Sequence, residues 1–249
     1  MYTDPWCPYS WGSEPHRRRL EVEFGESVSI TYVMGGMQEV LSKPVSFAEE
    51  WLEAAEESGM PADPRQLLTD PPSSTHPAGI AVRAVSEQVN PGAFLRRVRE
   101  SIFLWRRRMD RIEHFIDLAR DLRLDIDRLR IDLGSHAILE AFGADLERAQ
   151  AAGPEGGRVK LPTLEVAGEL VTDPARWRDA VAAAGAQPTG TWPLGAEECV
   201  RRFGLVTLAE VAVLCDLPGP RAGAALWQAA EEWKLRPRRV LFGEVWEVA

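Results

Sequence analysis

The pattern of apolar and polar positions changes character along the chain. Ser10 to Phe24, rich in arginine and glutamate, reads as a helix. Ser27-Val28-Ser29-Ile30-Thr31-Tyr32-Val33 then alternates polar and apolar, which predicts a strand, and Gly35-Gly36 breaks it. From about Ser42 to Gln150 the pattern is helical almost throughout. Phe47 to Ser58 predicts one helix with Ser46 as its N-cap. Asp70-Pro71-Pro72-Ser73-Ser74 is a loop, and His76 to Gln88 predicts a helix with a small-residue face. Pro91 opens the next, which carries Phe94, Val98, Ile102 and Trp105 at helical spacing. Ile112 to Leu122 and Gly134 to Gln150 close the block.

Strands then return. Val159 to Val166 is strand-like but interrupted by Pro162, and Gly168 marks a tight hairpin into Leu170-Val171. Asp173-Pro174 caps a helix through Ala184. Gly185 to Pro193 reads as a linker. Beyond it lies a module of about fifty residues. Thr207-Leu208-Ala209-Glu210 fits a capping box opening a helix to Cys215. Pro218-Gly219-Pro220 turns the chain into a second helix, Arg221 to Lys234. Val240-Leu241-Phe242 and Val245 to Val248 flank Gly243 as a hairpin. Helix, turn, helix and hairpin is the order of a winged helix. No internal repeat or low-complexity tract is present.

Composition narrows the function classes. The chain has 249 residues, 45% hydrophobic and 27% charged, enough for a sizeable core. Its net charge of -9 opposes a sequence-independent grip on nucleic acid. From Ala196 onward the basic residues do not outnumber the acidic ones, and Arg236, Arg238 and Arg239 alone hint at a basic wing. Three cysteines, Cys7, Cys199 and Cys215, are too few for a disulfide scaffold and lack zinc-site spacing. The N-terminus has neither the basic start nor the apolar run of a signal peptide, and no stretch is long and apolar enough to span a bilayer. The expected location is cytoplasmic, with no membrane partner and with nucleic acid disfavoured.

The candidate chemistry begins at Cys7. Pro8 follows it, and proline favours the first helical position, so Cys7 falls at a helix N-terminus. Free N–H groups and the positive end of the dipole there stabilise a thiolate, the nucleophile of disulfide exchange. Pro162, inside a strand, removes a ladder bond, and a cis bond is one reason for it to be there.

Asp4-Pro5-Trp6-Cys7-Pro8-Tyr9-Ser10-Trp11 opening a helix resembles the active-site start of DsbA-like thioredoxin-fold proteins, and Leu161-Pro162-Thr163 resembles their cis-proline loop. The helical block matches the domain that family inserts, and Ser73-Ser74-Thr75-His76-Pro77-Ala78 resembles the entry to an insert helix. The resemblance covers roughly residues 1–185 and is nearest the FrnE and 2-hydroxychromene-2-carboxylate isomerase-like branch. It implies an α/β, thioredoxin-like fold with an all-helical insertion domain and a small C-terminal winged-helix-like domain. The corresponding bounds are 1–41 and 151–185 for the thioredoxin-like domain, 42–150 for the insertion and 196–249 for the C-terminal domain.

The resemblance also implies a function: a thiol-disulfide oxidoreductase working through mixed disulfides. Cys7 and Ser10 would be catalytic, and Pro8, Tyr9, Leu161, Pro162 and Thr163 would bind substrate. Two departures bear on this. Ser10 stands where the family's motif carries its second cysteine, so any cycle is monothiol. Only Met1, Tyr2 and Thr3 precede the motif as a strand; either that strand is very short or the natural chain starts earlier. No cofactor is expected to be tightly bound, with glutathione or another low-molecular-weight thiol as cosubstrate. The partner would be a thiol- or disulfide-containing protein or small molecule.

Two alternatives stay open. One is a glutathione-dependent isomerase or transferase; the other is a non-catalytic thioredoxin-fold adaptor, in which the lost cysteine marks lost chemistry. Cys7 itself can be an inert buried cysteine. Cys199 and Cys215 read as core residues of the C-terminal module. Arg96-Arg97-Arg99 and Arg106-Arg107-Arg108, interleaved with acids, read as a solvated helix face.

Overall fold

The computed structural model describes residues 1–155 and 157–249. It is an α/β fold, a thioredoxin-like core with an inserted all-helical region and a small C-terminal subdomain of helices and strands. By contact the chain forms two compact units. One comprises Met1–Trp11, Ile30–Trp51 and Asp63–Thr163, the other Gly12–Ser29, Leu52–Ala62 and Leu164–Ala249.

Strand β1 is only Tyr2–Thr3, and Cys7 lies in the turn between it and helix α1, Pro8–Gly12. The helix expected over Ser10 to Phe24 breaks at Ser13, and α2 runs Glu14–Phe24. Pro15 is the reason: it offers no N–H and restricts the residue before it, so it suits a first turn and not a helix interior. The strand expected over residues 27–33 shrinks to β2, Val33–Met34. It pairs in parallel with β1, Tyr2 against Val33 and Thr3 against Met34. A two-residue partner limits the ladder, and Gly25–Ser27 is instead a turn of 3-10 helix.

Helix α3, Pro44–Ser58, begins ahead of Ser46, which is helical and no N-cap; Pro44 starts the first turn instead. A short α4, Arg65–Thr69, was not legible in the pattern. Then come α5, His76–Ser86; α6, Gly92–Phe103; α7, Ile112–Asp121; α8, Ile126–Leu133; and α9, His136–Ala151. Phe94, Val98 and Ile102 are buried along one side of α6, as their spacing predicts, while Trp105 is half-buried beyond its end. The arginine reading needs correction here. Arg99 is fully buried and Arg96 nearly so, whereas Arg97 is half exposed. Arg96 pairs with Glu100 at 2.9 Å, and its guanidinium lies 4.5 Å from the Trp11 ring centre. An arginine paired and stacked in this way can be buried where a free one cannot.

In the second unit β3, Leu164–Val166, and β4, Glu169–Val171, form the expected hairpin. Ala167 and Gly168 both have positive φ, the backbone its two-residue turn requires. The Asp173 carboxylate accepts from the Ala175 N–H at 3.0 Å and caps a 3-10 turn leading into α10, Trp177–Ala183. The C-terminal part holds two elements the sequence pattern did not reveal: α11, Ala196–Phe203, and β5, Leu205–Thr207. Helix α12, Leu208–Leu214, α13, Gly219–Glu231, and the strands β6, Leu235–Val240, and β7, Gly243–Val248, follow. The antiparallel sheet has the order β5-β7-β6, so the module has winged-helix order. The capping box is formed: Thr207 N–H donates to Glu210 at 2.9 Å, and Glu210 N–H donates to Thr207 Oγ1 at 3.2 Å. Glu210 also pairs at 2.7 Å with Arg18 of α2, both buried. Among the described residues no helix is long and apolar enough to cross a membrane.

Candidate functional site

The first unit brings together the two motifs that the sequence singled out. Tyr2 N–H donates to the Thr163 carbonyl at 2.8 Å, and Thr163 N–H returns a bond to Tyr2 at 3.1 Å. This antiparallel bridge, next to the parallel pair with β2, sets the Leu161-Pro162 loop beside Cys7. The Leu161–Pro162 bond is cis. Gly35 lets the loop close in: a Cβ there would stand 2.4 Å from Leu161 Cδ1. An aromatic group packs the motif from within. Trp11 stacks on Phe103 with centroids 5.5 Å apart, Phe103 meets Trp51 at 4.3 Å, and Trp6 lies 6.0 Å from Trp51.

The Cys7 thiol is buried, at 2% exposure. It belongs to an apolar cluster with Tyr2, Val33, Ala149, Val159 and Leu161, against which Tyr9 packs half-buried. Sγ receives the Ser10 N–H at 3.4 Å and points its own proton at the Leu161 carbonyl, 3.8 Å away. Burial pushes the thiol up from its ordinary value; the hydroxyl and N–H of Ser10 pull it down, the Asp4 charge pushes it up and Arg99 pulls it down. Desolvation is the largest of these influences and favours the neutral thiol. The helix start supplies the N–H the sequence promised, but the apolar wall outweighs it.

Asp4 heads the motif around Cys7, but nothing in the local pattern gives it a role of its own. It is 1% exposed. Its carboxylate accepts from Trp6 N–H at 2.8 Å and Met37 N–H at 3.2 Å. Burial pushes it up to about 6, against the pull of those N–H groups, Arg158 and Arg99. Arg99 crosses from α6 to donate to Thr3 Oγ1 and, at 3.2 Å, to the Asp4 carbonyl. The motif thus rests on a buried cation and a buried acid.

In the second unit Cys199 and Cys215 are core residues, as expected, with their sulfurs 3.6 Å apart. The same unit has an open cavity of about 520 Å³ lined by Pro61, Leu208, Trp227, Leu241, Phe242 and Trp246 among others. Trp227 is half exposed and meets Trp246 edge-on at 5.0 Å. On the hairpin Arg236 pairs with Glu247 at 2.9 Å and Arg239 lies 3.9 Å from Glu244.

The comparisons with known proteins point to adapters by sequence and to a reductase by fold. The ClpXP adapter protein SpxH of Halalkalibacterium halodurans is 25% identical over 98% of this chain and 86% of its own length. The ClpXP adapter protein SpxH of Bacillus subtilis is 27% identical over 60% of this chain, which spans 52% of that protein. Among solved structures, the cytosolic disulfide reductase DsbM from Pseudomonas aeruginosa superposes with a TM-score of 0.58 at 20% identity, over 73% of this chain and 95% of its own. The same reductase with glutathione gives 0.59 at 19% identity, over 73% and 94%. These structures share the fold.

Two expectations fall. The chain is not supported as a thiol-disulfide oxidoreductase, nor as an enzyme of that chemistry. Cys7 has no second cysteine in its motif, its thiol is buried in an apolar wall that pushes it up from the ordinary value, and the sequence relatives carry the name of adapters. What stands is a thioredoxin-fold chain that is similar in sequence to SpxH adapters and shares its fold with a cytosolic disulfide reductase. The profile of a family described as Thioredoxin matches residues 1–156, and the chain belongs to that family.

Proposed function

We propose that the chain is a non-catalytic thioredoxin-fold adaptor, which holds a protein partner and presents it to a second protein. The observation that carries this is the setting of Cys7: buried in an apolar wall and without a resolving thiol in its motif. The fold of a redox enzyme is kept, and the nucleophile has become a packing residue. The open aromatic cleft of the second unit supports the same reading, since exposed apolar patches mark interaction surfaces. By analogy with the relatives named ClpXP adapter, the second protein is ClpXP.

The test is direct association. The purified chain should bind purified ClpXP in sedimentation or interferometry, and Cys7→Ala should bind equally well. Insulin reduction should stay at background for both. Absence of ClpXP binding, together with insulin reduction that Cys7→Ala abolishes, would overturn the proposal. Glutathione is the small thiol to titrate, because a fold relative was solved with it. An adaptor with a buried thiol should form no mixed disulfide at Cys7.

A further inference from the structure

Two thiols remain that the adaptor reading does not use. Cys199 lies in α11, and Cys215 is the residue that ends α12. Both are free, and both sit in the apolar cluster of Val200, Val206, Val211, Leu214 and Leu226. Buried cysteines are common. Here two of them meet, with the sulfurs 3.6 Å apart. A disulfide requires them to close by about 1.5 Å, within reach of small side-chain rotations.

We propose that Cys199 and Cys215 form a reversible dithiol–disulfide site, oxidised by a peroxide and restored by a dithiol. The two members are unequal in ways that assign their order. Cys199 is wholly buried, whereas Cys215 is 7% exposed at a helix end, where local opening is easiest. Either sulfur can donate to the other across this contact, so the first to lose its proton, the more accessible Cys215, is stabilised as a thiolate by the thiol of its neighbour. Cys215 is thus the attacking sulfur and a small oxidant is the one that fits.

Cys215 thiolate attacks hydrogen peroxide; an S–O bond forms, the O–O bond breaks, and hydroxide leaves with the proton that Cys215 gave up. Cys199 then attacks the sulfenic sulfur. The S–S bond forms, the S–O bond breaks, and the departing hydroxide takes the Cys199 proton as water. Two thiols are oxidised and one peroxide is reduced to two waters. The bond ties α11 to the end of α12 across β5 and the capping box. A closed loop of this length raises the thermal midpoint by about 5–10 °C in a chain of this size.

The experiment treats the full-length native protein with graded hydrogen peroxide. Remaining thiols are then alkylated in denaturant, and peptides are mapped by mass. The expected product is one linked Cys199–Cys215 species, 2 Da lighter than the dithiol, monomeric and reversed by dithiothreitol, formed at doses that leave Cys7 alkylatable. Its thermal midpoint should exceed that of the reduced protein. Full alkylation of Cys199 and Cys215 at doses that already oxidise Cys7 would overturn the proposal, as would sulfinic acid or intermolecular dimers in place of the internal bond. Cys199→Ser should convert the product to a Cys215 sulfenic acid. If that variant does not fold, the wild-type dose series decides alone.

Discussion

Asp4 and Cys7 occupy one desolvated corner of the first unit, and both titrate to match. Asp4, held at about 6, binds its proton more tightly folded than unfolded. Its contribution to stability is therefore complete below about pH 3.8 and is lost as pH rises to about 6. The displacement is worth about 3 kcal/mol by the usual conversion. Carboxyl NMR should place its titration midpoint near pH 6, and the stability of wild type relative to Asp4→Asn should fall over that interval. A midpoint near 4 would show that water reaches the acid. Cys7 behaves the same way at higher pH: its alkylation rate should have a midpoint above that of an ordinary thiol, and its share of stability should fade as pH climbs through that midpoint. Cys7→Ala should cost about 1–2 kcal/mol in urea unfolding, the loss of a small apolar group. The positions of Cys7 and Pro162 were legible because each breaks a local rule, a proline-started helix and a proline in a strand. The burial of the thiol was not legible. The wall around Sγ is assembled from Tyr2, Val33, Ala149 and Val159, which lie in separate segments, and no window of sequence contains them together.

At the scale of elements, local signals were reliable where the cause was local. The Thr207–Glu210 capping box, the Gly168 hairpin and the Asp173 cap all formed as their residues dictate. Elements defined by partners were not readable. Strand β2 is as short as β1 allows, and β5 exists because β7 lies beside it, with Val206 opposite Trp246. The same distinction separates Arg97 from Arg99 on α6: their chemistry is identical, and only the packed face differs. The Arg18–Glu210 pair shows what such packing demands. Both charges are buried at 2.7 Å, and Glu210 also holds the Thr207 N–H. Arg18→Met takes the Arg18 cation away from a buried carboxylate and should destabilise the second unit by about 3–5 kcal/mol. Arg18→Met with Glu210→Gln should recover much of that loss, because the amide removes the charge and still accepts from Thr207. Equal losses in the single and double variants would mean that α2 packs without help from the pair.

At the scale of the whole molecule, sequence order and compact unit diverge. The winged-helix-like residues 196–249 look self-sufficient as a string of elements, with their own helices, hairpin and capping box. Their core is not closed by that string alone. Val22 of α2 belongs to the same apolar cluster as Val200, Val206 and Leu226. Arg18 of α2 neutralises Glu210, and Thr189 N–H donates at 2.7 Å to the carbonyl of Glu23 at the end of α2. Arg19 also lies 4.0 Å from the ring centre of Trp192. A fragment of residues 196–249 would expose the apolar face that α2 covers and would leave the Glu210 carboxylate without its cation. Small domains have little stability to spare for either loss. Expressed alone, this fragment should show weak helical circular dichroism and no cooperative thermal transition. The full chain should unfold cooperatively, and Val22→Ala within it should cost about 1–3 kcal/mol in the second unit. A sharp transition from the isolated fragment would mean that α2 is a neighbour of the module rather than part of its core. In that case Arg18→Met and Val22→Ala should both be nearly silent in the full chain, so the three measurements have to agree.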